Sequence, residues 1–315
     1  MNLKQKIAGL AAACLLFTGG TAWAAEDATP MAQLEEVLKE DGADSGTYHL
    51  LLAASAPLGE ATASLDVTLK ETPLIVSQGV AQVALTPTQL LSPLSKEVPF
   101  YWQETEKELI FYSQYNDQWR KIITKKDLKK EAKTKNPEEK KAADKALAAI
   151  YAENFMALVK DVQLANLEGN QRVYNVTIDG EKFAAAVQSN IAAQNKGKDK
   201  KLTLKPHEAK LIDTALKAWG DFSFNLTEEL DSKQITAIHA DLTEPLRRAA
   251  RALIEASDMS TVDKFKYAAM AETINLKFEA TGEAFNQIDK VEIPAEVQKA
   301  KKVKDFDGLF SEDKK

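Results

Sequence analysis

The chain has 315 residues, 44% of them hydrophobic and 28% charged, a mix that belongs to a folded globular protein and not to a disordered one. A net charge of −6 gives no overall electrostatic pull on nucleic acid, and one cysteine with three histidines excludes disulfide scaffolds, zinc clusters and a cysteine nucleophile.

Residues 1–24 read as a secretory signal. Lys4 and Lys6 precede the apolar run Ile7 to Phe17, Gly19 and Gly20 break it, and Ala22-Trp23-Ala24 places small residues at the −3 and −1 positions of a cleavage site. The run is too short to span a bilayer, which needs about 20 apolar residues. Cleavage after Ala24 would leave 291 residues with a charge of −8 and no cysteine, since Cys14 lies in the removed part. Ala11-Ala12-Ala13 before Cys14, and Leu15-Leu16-Phe17 after it, do not fit a lipid-attachment site. The expectation is an exported chain, periplasmic or extracellular, and soluble.

Thr29-Pro30 opens a helix with Leu34, Val37 and Leu38 on one face. From Gly46 the period changes to two. Ala61, Ala63, Leu65, Val67 and Leu69 alternate with polar residues, which predicts a strand with one wet face. Segments 46–55, 74–86, 98–104, 107–115 and 117–124 also read as strands, with turns at Pro57-Leu58-Gly59 and Asn116-Asp117. Phe100 and Trp102 oppose Tyr101, while Leu109 and Phe111 oppose Ile110 and Tyr112, so these strands need cover on both faces.

Asn136-Pro137 and Glu139 resemble a capping box. Leu147, Ile150, Tyr151, Phe155, Leu158, Val159 and Val162 then keep helical spacing. A strand at 171–178 follows, then helices carrying Phe183, Val187 and Ile191 and, from Pro206, Leu211 to Trp219. Strands resume at 222–230 and 233–243, Thr243-Glu244-Pro245 opens a helix to Ile254, and a last strand passes through Ile274, Leu276, Phe278 and Ala280. No internal repeat or linker divides the chain. The expected organisation is one α+β domain over 25–300 and a charged, disordered tail over 301–315.

Catalytic and metal signatures are missing from the sequence. His49, His207 and His239 are far apart, and neither G-x-S-x-G, a P-loop nor G-x-G-x-x-G occurs. Asp305-Phe306-Asp307-Gly308 has the opening of a calcium loop without its later acidic ligand. A pair of carboxylates could still be brought together by the fold, but nothing singles one out. The chain is therefore expected to be no enzyme and to carry no cofactor or metal, with a hydrolase as a distant alternative.

Two lysine-rich stretches stand out. Residues 121–145 hold ten lysines against five acids, and 196–210 hold six against two. They read either as solvated surface or as a face for anionic membrane headgroups, where each lysine contributes about 1 kcal/mol. The strand aromatics Phe100, Trp102, Phe111, Trp119, Phe222 and Phe224 are the candidate ligand-binding residues. They could form a closed core or line an apolar cavity for a lipid chain. Burying ten methylenes would yield about 8 kcal/mol before association costs. A cavity of this kind needs at least about 300 Å³ of contiguous apolar space.

The order of elements resembles the LolA/LppX-like superfamily of cell-envelope lipid and lipoprotein carriers, and most of all lipoprotein-like relatives from Firmicutes. The resemblance lies in Ser45-Gly46-Thr47-Tyr48, in Phe100-Tyr101-Trp102 with Leu109-Ile110-Phe111-Tyr112, and in Gln118-Trp119-Arg120-Lys121. Near the end, Val291-Glu292-Ile293-Pro294-Ala295-Glu296-Val297 with Ala300 is similar to the ending Ile-x-x-Pro-x-x-(Ala/Val)-x-x-Ala of those relatives. The resemblance implies a twisted antiparallel half-open β-barrel with helices covering the concave face and an apolar cavity for lipid or acyl chains. The sequence departs from it in lacking a lipid-anchor cysteine and in having a long lysine-rich helical insertion. A filled-core module that docks envelope proteins is the alternative use of the same fold.

Overall fold

The computed structural model describes residues 29–39, 43–71, 74–88, 92–126, 149–196 and 206–310. Helix α1 (Pro30–Lys39) begins where Thr29 Oγ1 accepts the Ala32 N–H, and it buries Leu34, Val37 and Leu38 at helical spacing. Six antiparallel strands follow: β1 (Ser45–Ala56), β2 (Gly59–Lys70), β3 (Val76–Pro87), β4 (Leu94–Glu104), β5 (Glu108–Tyr115) and β6 (Gln118–Lys125). The β5–β6 turn is Asn116-Asp117, both at positive φ, the two-residue hairpin geometry that these side chains tolerate.

The second half brings β7 (Val159–Glu168), β8 (Gln171–Ile178), helices α2 (Gly180–Lys196) and α3 (Pro206–Trp219), and β9 (Phe222–Glu229) with β10 (Gln234–Asp241). Helices α4 (Thr243–Ala256) and α5 (Thr261–Ala271), strand β11 (Asn275–Glu283), the single turn α6 (Ala295–Gln298), β12 (Lys301–Lys302) and α7 (Phe306–Leu309) complete it. All twelve strands join one open sheet in the order β12-β6-β5-β4-β3-β2-β1-β11-β10-β9-β8-β7, antiparallel except for β12 beside β6. This is the expected α+β class with a large, mostly antiparallel, unclosed sheet.

Three sequence expectations are corrected. Val159 and Val162, placed in a helix by their spacing, belong to β7; among the described residues of that region the helix covers 149–156 and ends before them. Helix α5 was not anticipated, because only its Ala271 is buried and no apolar stripe marks it. The tail expected to be disordered from 301 is ordered to 310: β12 pairs with β6, and Leu309 is fully buried. The signal-like residues 1–24, most of the two lysine-rich stretches and 311–315 lie outside the described residues.

The register assigns the faces. On the inner face Tyr48, Leu50, Leu226, Ile238 and Ala280 meet α1, Ala152 of the 149–156 helix and Tyr174, Val176 and Ile178 of β8 in the main core. On the outer face α6 brings Ile293, Val297 and Ala300 onto Tyr101, Tyr112 and Trp119. The ending that carries the family resemblance is thus a patch sealing the outer face of β4–β6, with Val291 also buried.

Candidate functional site

Five of the six candidate aromatics share the inner face. Phe100 pairs with Ser113 and Trp102 with Phe111 across β4–β5, and the rings of Phe100 and Phe111 stack at 5.8 Å. Phe100 lies over Gly79, where a Cβ would come within 2.6 Å of its ring; the missing side chain makes room for it. Phe222 and Phe224 face the same way on β9, in the packed layer between sheet and helices. Phe222 meets Phe183 at 5.3 Å and Trp219 at 6.5 Å, and Phe224 meets Phe155 at 6.2 Å.

The sixth does not join them. Trp119 pairs with Gln114, lies on the outer face and packs at 5.5 Å against Tyr101. Nor do the two groups meet within the sheet. Five strands separate β4 from β9, about 29 Å along the sheet at ~4.8 Å per strand.

The inner face is occupied unequally. Over β7–β11 it is the main core. Over β5–β6 it carries the C-terminal segment, where Phe306 meets Phe111 at 5.7 Å and Arg120 Nη1 donates to the Gly308 carbonyl at 2.8 Å. Between these, towards the β1–β2 turn, lies a strip of aliphatic side chains open to solvent. Register joins Phe278, Leu52, Ala63 and Val83 in one row and Leu85 with Leu94 in the next but one. Leu52 is 42% exposed, Val83 49%, Leu85 42% and Leu94 56%. The alternation of residues 60–70 foretold which side of β2 is apolar, but nothing in it foretold that this side stays uncovered at one end.

Polar groups lie elsewhere. On β8 and β9 the Tyr174 hydroxyl donates to Glu228 Oε2 at 3.0 Å, and Arg172 Nη1 reaches the hydroxyl at 3.2 Å and the carboxylate at 3.4 Å. Burial pushes the Glu228 carboxyl above its ordinary range and holds the Tyr174 phenol protonated. On the outer face His49 Nδ1 lies 2.7 Å from Asp66 Oδ1, with Glu283 Oε1 3.6 Å from Nε2; the bond to Asp66 raises its pKa. His207 stands in α3 and His239 in β10. Among the described residues no group of three or more His, Cys, Asp or Glu is arranged to hold a metal ion. A cleft of about 590 Å³ opens beside the β4–β5 turn, lined by Leu74 and residues 103–108. Three glutamates and a lysine line it, so it is not the apolar space that a lipid chain needs.

No family model matches the chain, and no curated protein matches it. Among solved structures it is similar to the crystal structure of LprF from Mycobacterium bovis, at 11% identity over 91% of this chain and 97% of that one, with a TM-score of 0.35. That likeness is too slight to carry a fold or a function from one chain to the other. No described helix is long and apolar enough to cross a membrane.

Proposed function

We propose that the chain binds an apolar ligand, an acyl chain of a lipid or lipoprotein, on the inner face of a half-open barrel and does not transform it. The observation that carries this reading is the open strip of Leu52, Ala63, Val83, Leu85 and Leu94. These five side chains offer no hydrogen-bonding group, Lys96 at the end of the Val83 row turns its ammonium onto the Tyr115 ring at 3.6 Å, and the backbone beneath is used in the antiparallel ladder. A surface of that kind stabilises hydrocarbon by excluding water and asks nothing polar of it. Ten methylenes laid on it would gain about 8 kcal/mol before association costs of about 4 kcal/mol or more, so about fifteen are needed for micromolar binding. In the same reading residues 1–24 direct export, and the lysines of 121–145 and 196–210 meet anionic headgroups at an envelope membrane.

A second reading has its own observation. Phe222 and Phe224 are packed among helices, and Phe100 and Phe111 lie near the C-terminal segment, as in an interaction module with a filled core. The test is solvent extraction and native mass spectrometry of protein purified from its own host, with uptake of the fluorescent probe cis-parinaric acid. Val83→Asp alters an exposed position, so it should leave the fold intact and weaken uptake by about tenfold or more. Bound lipid together with that loss supports the carrier; no lipid and no uptake favours the filled module.

A further inference from the structure

Helix α5 inverts the usual arrangement of a surface helix. Ser260 caps its start, the hydroxyl accepting the Asp263 N–H at 3.2 Å, and alanines at 268, 269 and 271 sustain it. Lys264, Ala268 and Ala271 form the side turned to the molecule, with Ala271 buried and the Lys264 ammonium on the Glu255 carbonyl at 2.8 Å. Val262, Phe265 and Ala269, spaced by three and four residues, form the opposite side. Val262 is 78% exposed and Phe265 80%, and Met259 and Tyr267 are exposed as well. A surface helix ordinarily turns its large apolar residues inward and its lysines out. Single exposed apolar side chains are commonplace, but a helical stripe of them is a surface made to be covered.

The place of α5 in the fold says what covers it. Residues 272–274 lead from the helix into β11, whose first residue, Asn275, pairs with Ser55 and donates to its hydroxyl at 3.0 Å. Helix α5 therefore stands at the end of the sheet where the β1–β2 turn exposes Leu58 and where the open strip of Leu52, Val83, Leu85 and Leu94 runs out. An acyl chain passes between a bilayer and that strip without crossing water only if this end meets the bilayer. We propose that α5 is a bilayer-contact helix: Val262, Phe265 and Ala269 enter the interfacial layer of a phospholipid membrane beside Leu58, and Lys266 reaches the phosphates. The choice of a bilayer rests on the apolar-ligand reading above and adds the surface at which that ligand is exchanged. The charges suit an interfacial helix. Exposed Lys266 borders the apolar side, Asp263 is engaged by the Ser260 hydroxyl at 2.6 Å, and Glu272 pairs with Arg251 at 3.2 Å. With Asp258, residues 258–272 hold three acids against two lysines, so insertion of apolar side chains and not net attraction supplies the hold.

The experiment measures co-sedimentation with vesicles of phosphatidylcholine, alone and mixed with phosphatidylglycerol, beside uptake of cis-parinaric acid from vesicle-free solution. It compares the wild type, Val262→Gln/Phe265→Gln and Lys266→Glu, all purified from the protein's own host. The double variant should weaken binding to both kinds of vesicle by about tenfold or more, since two large apolar side chains no longer leave water. Its melting temperature and its uptake from solution should match the wild type, because both positions are exposed and lie outside the strip. Lys266→Glu should weaken binding several-fold on the mixed vesicles and little on phosphatidylcholine alone. Equal vesicle binding by wild type and double variant, or none by either, overturns the contact even where uptake from solution supports the carrier. Vesicle binding lost in the double variant, with no uptake by any chain, upholds the contact and overturns the carrier. Self-association that the double variant abolishes, without vesicle binding, assigns the face to a second copy and overturns the proposal.

Discussion

Replacing Tyr174 with phenylalanine tests the buried polar cluster of β8 and β9. The ring stays and only the hydroxyl is lost, so no cavity larger than an oxygen is left. That hydroxyl donates to Glu228 at 3.0 Å and accepts from Arg172 at 3.2 Å. Without it the carboxylate, 3% exposed, keeps Arg172 Nη1 at 3.4 Å. Hydrogen bonds to charged groups contribute about 1.5–3 kcal/mol, so a loss of about 2 kcal/mol is expected at neutral pH, or about 4–8 °C in Tm for a domain of this size. The pH dependence has a definite sign. Burial already raises the folded-state pKa of Glu228 above 4.5, and the Tyr174 hydroxyl opposes that rise. Its removal raises the value further, so the folded variant takes up a proton sooner as pH falls. The Tm deficit should therefore be largest near pH 7 and shrink as pH approaches the ordinary carboxylate range. Calorimetric melts at about pH 7 and pH 5 decide it. A deficit equal at both pH values, or a Tm unchanged at pH 7, would refute the assignment of Glu228 as a buried carboxylate held by Tyr174.

Two further substitutions probe the faces of the sheet. Gly79→Ala would place a Cβ 2.3 Å from the Asp66 carbonyl oxygen and 2.6 Å from the Phe100 ring, which should cost about 1–3 kcal/mol in chemical denaturation. A gain in stability, the usual result of replacing a glycine whose conformation alanine can adopt, would show that Phe100 does not lie on β3. His49→Ala removes a histidine whose pKa is raised by its bond to Asp66 and then by Glu283. A raised pKa stabilises the fold below 6.5 and is lost as pH climbs through the folded value. The variant should be slightly less stable than wild type at about pH 6 and equal to it at about pH 9, with the difference fading in high salt because the pair is exposed. Melts that differ by the same amount at both pH values would argue against a charge effect.

Much of the sheet was legible in the alternation. Strands β1 to β6, β8 to β11 and the start of α1 follow from period-two or period-3.6 patterns and from turn residues such as Asn116-Asp117. Strand β7 escaped for a specific reason. Bulges between Val159 and Asp161 and between Leu164 and Asn166 each insert a residue, so its buried Val159 and Val162 stand three apart, a helical interval. Helix α5 escaped because Val262 and Phe265, 78% and 80% exposed, are its large apolar residues and do not mark a core face. The order of residues 301–310 escaped because Lys299, Lys301, Lys302, Lys304, Asp305 and Asp307 set the composition of that region, while Phe306 and Leu309 attach it.

The candidate site was legible to the extent that parity can be carried through a hairpin. A two-residue turn at Asn116-Asp117 pairs Tyr115 with Gln118, and the pairs continue outward from there. Ile122 thereby falls opposite Phe111, Arg120 opposite Ser113, and Trp119 opposite Gln114. The turn alone contained enough to remove Trp119 from the aromatic set and to put Arg120 in its place; residue type drew attention to the tryptophan instead. Distance between the two aromatic groups was not available in this way. It depends on β11, 220 residues beyond the strand it joins at Ser55, entering between β1 and β10. No local period encodes such a pairing. Strand order also explains why the open strip went unnoticed. Ala61, Ala63 and Leu65 look like any core face in sequence, yet among the described residues the inner-face cover comes from α1, the 149–156 helix, α2 and the C-terminal residues 303–310, which serve other strands. An apolar face that remains uncovered while large helices are available to cover it is a cost in water that an apolar ligand would relieve.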